Sequence, residues 1–147
     1  MRYLSQSGPP MAGHEAWRAF TGQGGHWSLR GFGMFAVMER ASGDLVGIVG
    51  PWLPEGWPDF EIGWTLRSVW WGRGYATEAA NACLRCAFME LDRAHIVSLI
   101  TPENTPSIRV AERVGERLEG EITLPQLAPD KTVLQYGLSR EEWQRRG

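Results

Sequence analysis

Gly72 and Gly74 stand one residue apart, between a short run rich in β-branched and aromatic residues and a long stretch with helical periodicity. Glycine permits φ > 0 and carries no Cβ to hold a ligand away from the amides. The N–H groups of Arg73, Gly74, Tyr75 and Ala76 can therefore converge on one point, where the first turn of the following helix adds unpaired donors and the positive end of its dipole. An anion such as a pyrophosphate suits that geometry. Arg73 adds a permanent positive charge. A Gly-x-Gly before a helix also serves as a plain tight turn, so these residues alone leave both uses open.

Both flanking elements are legible. Ala76, Ala79, Ala80, Cys83, Leu84, Ala87, Phe88 and Leu91 recur at i, i+3, i+4, i+7 and make one apolar helix face. Residues 60–66, Phe-Glu-Ile-Gly-Trp-Thr-Leu, predict a strand. Upstream, Met11, Ala16, Trp17 and Phe20 predict a helix over residues 10–20 that ends at the Gly22 to Gly25 cluster. Strands are expected at 34–39 and 45–50, joined by a turn at Ser42-Gly43-Asp44, with a Pro- and Gly-containing loop at 51–59. After the long helix, His95–Ile100 predicts a buried strand. Thr105 suits an N-cap with Pro106 at the first helical position and Gly115 past the end of the helix. Strands at 117–124 and 132–138 follow, then a capping box at Ser139 to Glu142 for a last turn carrying Trp143.

Composition narrows the function. At 147 residues, 43% hydrophobic and 22% charged, the chain is expected to form one domain, residues 1–147, with a real core. A net charge of −2 with no basic run gives no basis for nucleic-acid binding, and Lys131 is the sole lysine. No apolar run approaches the roughly 20 residues of a membrane span and no signal-peptide pattern opens the chain, so a cytoplasmic protein is expected. Cys83 and Cys86 form a C-x-x-C inside the long helix, without a second pair or clustered histidines. No metal site is expected, and the two serve better as small core residues. His14, His26 and His95 are scattered; packing suits them all, although His26 beside Trp27 also suits the wall of a cleft.

Three blocks in order carry a resemblance. Glu61-Ile62-Gly63-Trp64, then Trp71-Gly72-Arg73-Gly74-Tyr75-Ala76-Thr77-Glu78-Ala79, then Asn104-Thr105-Pro106-Ser107-Ile108-Arg109-Val110 with Val114-Gly115, resemble the GNAT superfamily of acyl-CoA-dependent N-acetyltransferases, in particular its RimJ/RimL-like branch. The similarity runs from about Arg2 to Trp143. A dinucleotide fold would want Gly-x-Gly-x-x-Gly, and position 77 is threonine. The resemblance implies an α+β fold: a mixed, mostly antiparallel twisted sheet, flanked by helices, with one splayed parallel strand pair. The family's usual opening strand and helix have no counterpart ahead of Arg2-Tyr3-Leu4. A short N-terminus is therefore expected, through a misassigned start, a fragment or a sheet with an open edge, which a homodimer would cover.

It also implies chemistry: transfer of an acetyl group from acetyl-CoA, as co-substrate, to a primary amine by direct attack. Pantetheine would lie along Trp64 to Leu66, and pyrophosphate on Trp71, Gly72, Arg73, Gly74, Tyr75, Ala76 and Thr77. Asn104 and Ser107 would also contact CoA. Glu61 is the candidate base: its family counterparts sit on the same strand near the acetyl site, and a carboxylate in a cleft walled by Trp64 and other aromatics could have its pKa raised by desolvation. Orienting a neighbour or pointing into solvent are its alternatives, since strand alternation alone does not fix its face. Ser107 is the candidate acid for the departing thiolate, as Ala111 occupies the position of the tyrosine used by many family members. Asn104 and Ser107 equally suit a helix start. Trp71 departs from the Gln or Arg of broader family sequences, a change in packing more than in binding. Trp27, Trp52, Trp57, Trp64 and Trp70 suit an acceptor cleft, a core or an oligomer surface. A peptide N-terminus, an amino-sugar and a small amine all remain open as acceptors. A non-catalytic acyl-CoA-binding module and another kind of nucleotide-binding protein are the alternatives.

Overall fold

The computed structural model describes residues 12–146. Helix α1 (Gly13–Arg30) leads into strands β1 (Phe35–Met38), β2 (Leu45–Trp52) and β3 (Glu61–Leu66). A 3₁₀ turn, Ser68–Trp70, precedes helix α2 (Tyr75–Met89) and strand β4 (His95–Ile100). Helix α3 (Thr105–Val114), strands β5 (Arg117–Thr123) and β6 (Thr132–Ser139) and helix α4 (Arg140–Gln144) complete the chain. The six strands form one sheet in the order β1-β2-β3-β4-β6-β5. Every neighbouring pair is antiparallel except β3 and β4. This is the α+β architecture, with a parallel pair in its middle, that the sequence leads one to expect.

Helix α2 is the crossover between those parallel strands, and its apolar stripe fixes how it sits. Ala80, Leu84, Ala87 and Phe88 are buried against Val49, Ile62, Ile96 and Leu138 of the sheet. Burying Leu84 and Phe88 contributes about 2–3 kcal/mol each. Cys83 and Cys86 are free thiols on this helix, and burial pushes Cys83 up to about 11. A thiol so raised is a packing group at neutral pH.

Several boundaries differ from expectation, each for a local reason. Helix α1 does not stop at Gly22 to Gly25; it runs to Arg30, with Gly31 at φ 75° beyond its end. Glycine costs about 1 kcal/mol at each interior position. The last turn is anchored firmly enough to offset this. His26 is buried, with Nδ1 bonded to the Phe32 carbonyl at 2.8 Å and Nε2 accepting from the Leu53 amide at 2.9 Å, and its ring stacks on Trp52. Its Nε2 lone pair is therefore engaged and its Nδ1 proton placed, which makes it a core residue and not a cleft wall. The start of the expected 10–20 helix lies partly outside the described residues, as does Arg2-Tyr3-Leu4.

Strand β2 passes through Pro51 into Trp52, where a loop is expected. Proline is tolerated because Pro51 pairs with Ile62 at a position whose backbone faces away from β3, and β1 reaches only to the level of Val49. The helix after β4 is capped by Asn104, not Thr105; the Asn104 carboxamide oxygen accepts from the Ser107 amide at 3.3 Å. Gly115 ends that helix at φ 94°, as expected. The Ser139 and Glu142 capping box is present as well. Among the described residues no helix is long and apolar enough to cross a membrane.

Candidate active site

Strands β3 and β4 share one bridge pair, Glu61 with Val97, and then diverge. Beyond that point the gap opens into a cleft of about 260 Å³. Its walls are the far half of β3, the turn before α2, the first turn of α2 and one face of α3. Of the residues singled out in the sequence for binding, Trp64, Leu66, Trp71, Gly72, Gly74, Tyr75, Ala76, Thr77, Asn104 and Ser107 all line it. Arg73 and Glu61 do not. The Arg73 guanidinium lies over the Trp70 ring, 5.0 Å from its centroid.

The glycine turn has the expected conformation, with Gly72 at φ 73° and Gly74 at φ 86°. Gly74 is the N-cap of α2 and supplies no side chain to cap it. The first internal bond of the helix is from the Glu78 amide to the Gly74 carbonyl, which leaves the Tyr75, Ala76 and Thr77 amides as open donors along the cleft. Trp71 braces the turn by donating from Nε1 to the Leu66 carbonyl at 2.9 Å. The indole N–H of Trp70 is buried and has no acceptor among the described residues.

Sequence reasoning missed Arg109 and Arg113. Both line the cleft, and neither makes an ion pair among the described residues. The signal was available: Pro106, Arg109, Val110 and Arg113 fall at i, i+3, i+4, i+7 and make one stripe of α3. Among the described residues no Asp or Glu lines the cleft. It therefore offers amide donors and two guanidiniums to an anion, beside aromatic and aliphatic surface.

Ser107 is held in a useful state. Trp64 donates from Nε1 to its Oγ at 3.1 Å, so the hydroxyl's own proton is left for an acceptor in the cleft. Its amide is used by Asn104, which so serves the helix start and the cleft together.

Glu61 points to the opposite face of the sheet from Trp64, since three positions separate them. Its company is Trp57, not Trp64. Trp57 Nε1 donates to Oε2 at 2.7 Å and the Leu99 amide donates to Oε1 at 3.3 Å. The carboxyl is buried, and desolvation raises its pKa to about 7 against the opposing pull of those two donors. The five tryptophans are thus divided. Trp64 and Trp70 line the cleft, Trp57 holds Glu61, Trp52 covers His26, and Trp27 bonds the Met34 carbonyl.

The family model described as an acetyltransferase (GNAT) domain matches residues 1–117. The uncharacterized N-acetyltransferase YnaD of Bacillus subtilis (strain 168) is 33% identical over 111 residues, 74% of this chain and 65% of its own length. The chain thus spans less than two thirds of that relative, and 56% of another from the same organism, YkkB. The crystal structure of an acetyltransferase from Agrobacterium tumefaciens str. C58 superposes with a TM-score of 0.77 at 31% identity, over 90% of this chain and 75% of that one. A ribosomal-protein-S5-alanine acetyltransferase from Vibrio fischeri shares the fold, with a TM-score of 0.72 at 19% identity over 95% of this chain and 81% of that one.

Proposed function

Since the chain belongs to the acetyltransferase (GNAT) domain family, we propose that it transfers an acetyl group from acetyl-CoA to a primary amine, and that it lies in the RimJ/RimL-like branch. The observation that carries the donor is the cleft, which among the described residues has open amides at Tyr75, Ala76 and Thr77, two arginines without an ion pair and no carboxylate, and is continuous with the splay between β3 and β4. Phosphates fit the open amides, a pantetheine arm the apolar surface, and a thioester the splay. Placement of a serine on α3, facing the cleft, supports the branch.

In the proposed reaction the amine nitrogen bonds to the thioester carbon and the carbon–sulfur bond breaks. The ammonium proton passes to Glu61, directly or through water, and the thiolate takes its proton through the Ser107 hydroxyl, which regains one from solvent water as Glu61 releases its own to solvent. The N–H of Trp64, in the opened half of β3, is a donor for the carbonyl oxygen. The acceptor is proposed as a peptide N-terminus or a small amine.

Thermal melting with acetyl-CoA, with CoA, ATP and NAD as competitors, followed by release of free CoA thiol across a panel of amines, tests this. Stabilisation by acetyl-CoA and CoA with thiol release is expected. Binding without turnover on any amine would leave an acyl-CoA-binding module, and preference for ATP or NAD would overturn the donor.

Ser107→Ala is expected to lower kcat about tenfold, roughly 1.4 kcal/mol, with little change in KM for acetyl-CoA. The loss is modest because water partly replaces a hydroxyl donor. Full activity in that variant would assign the thiolate's proton to water.

A further inference from the structure

A regular parallel ladder would continue from the Glu61 and Val97 pair by joining the Leu99 amide to the Ile62 carbonyl. Each group is instead met by a side chain. The Leu99 amide donates to Glu61 on one face of the sheet, and on the other the Ile62 carbonyl accepts from Ser98 Oγ at 2.8 Å. Ser98 Oγ also lies 3.0 Å from Glu116 Oε1. Glu116 is turned under α3 onto the sheet by the left-handed Gly115, and it is 3% exposed. Its Oε2 is buried without a partner among the described residues.

The three atoms set a proton count. A hydroxyl carries one proton, and Ser98 faces two oxygens. The Ile62 carbonyl can only accept. If Ser98 donates to it, the contact at 3.0 Å requires a donor on Glu116.

We infer that Glu116 is a neutral carboxylic acid that donates through Ser98 to the Ile62 carbonyl, and that this chain is a positioning device for the splay. Its acidic surroundings agree: burial, Glu61 and Glu119 all oppose ionisation, and the carboxyl is raised to about 8 while the Ser98 contact lowers it. The effect on the cleft follows from strand geometry. Peptide groups alternate between the two edges of a strand, so Trp64, two residues after Ile62, turns its N–H and C=O into the splay. With the Ile62 carbonyl and the Leu99 amide already engaged, the Trp64 amide is the first free donor that an occupant of the splay meets. The Trp64 indole also holds Ser107. Fixing Ile62 thus fixes two groups proposed to act on the thioester, and the inference rests on that proposal for its catalytic consequence alone.

Carbon-13 NMR of the Glu116 carboxyl in the full chain, without substrate, tests the proton itself, and kinetics test its use. A neutral carboxyl at pH 7 is expected. Glu116→Gln, whose amide can donate to Ser98, is expected to keep kcat within about threefold. Glu116→Ala and Ser98→Ala are expected to lose about tenfold or more in kcat, with KM for acetyl-CoA within about twofold. An ionised Glu116 at pH 7, equal losses in the Gln and Ala variants, or an effect on KM alone would overturn the inference. Should Glu116→Ala fail to fold, the NMR result and the Gln variant still decide. Should the wild type show no turnover with acetyl-CoA, the proposed function fails while the carboxyl spectrum still reports the proton.

Discussion

Gly74→Val is expected to abolish stabilisation by acetyl-CoA in a protein that still folds. At φ 86° the position suits glycine, and a side chain there costs roughly 1–2 kcal/mol, more when β-branched. A Cβ at this position meets no atom within 4 Å, so the fold has room for it. Gly74 lines the same cleft as Tyr75, Ala76 and Thr77, whose amides are open donors, so a branched side chain there would narrow the place proposed for phosphate. Ligand at a hundredfold excess over Kd stabilises by about 2.7 kcal/mol, which in a domain of this size is roughly 5–10 °C in Tm. The variant should show a lower starting Tm and no shift on adding acetyl-CoA. A folded Gly74→Val protein that shifts as the wild type does would sink the assignment of phosphate to this turn.

Glu61→Gln should slow acetyl transfer by about a hundredfold or more and remove the acidic limb of the kcat/KM profile. The base acts ionised, so with its pKa raised to about 7 the wild-type rate should rise with pH through that value and level off above it. An amide has nothing to titrate there. Geometry adds a complication that must be measured beside the rate. Glu61 accepts on both oxygens, from Trp57 and from Leu99, whereas glutamine has one acceptor. One buried donor is left unmet, at about 1–3 kcal/mol. Tm and acetyl-CoA binding therefore need to be followed together with activity. Loss of rate with an unchanged profile shape would make Glu61 a brace for the splay and leave the amine to lose its proton unaided. Stability offers an independent check on the sign. A carboxyl raised from 4.5 to about 7 on folding contributes fully below the lower value and loses that contribution as pH rises through the upper one. The variant should lack that part of the slope.

The parts of the site built from backbone were legible because glycine and proline announce special geometry in the sequence itself. Gly72, Gly74 and Gly115 all adopt positive φ, and Pro106 opens α3. The apolar stripe of α2 likewise fixed its own buried face. What the sequence did not disclose depends on partners distant in the chain. Residues 22–25 read as a helix stop because no local signal shows that His26 will be held by Phe32 and Leu53. Glu61 was singled out but set among the wrong aromatics, since its face follows from strand register. Arg109 was quoted for its place in a motif and passed over as a ligand, because an exposed arginine on a helix usually needs no explanation. Glu116 could not be singled out at all. Only the fold brings it beneath Ser98.

The single rung between β3 and β4 divides the sheet into two blocks that are each contiguous in sequence, β1-β2-β3 and β4-β6-β5. Each block is knitted internally by long antiparallel ladders, and α2 spans the seam on one side. A molecule lying along the splay would touch both blocks, β3 through Trp64 and the second block's helix through Asn104 and Ser107. It would occupy the place of a seventh strand and supply the rungs the polypeptide omits. Donor and protein would then share one cohesive sheet, and departure of the product would reopen its seam.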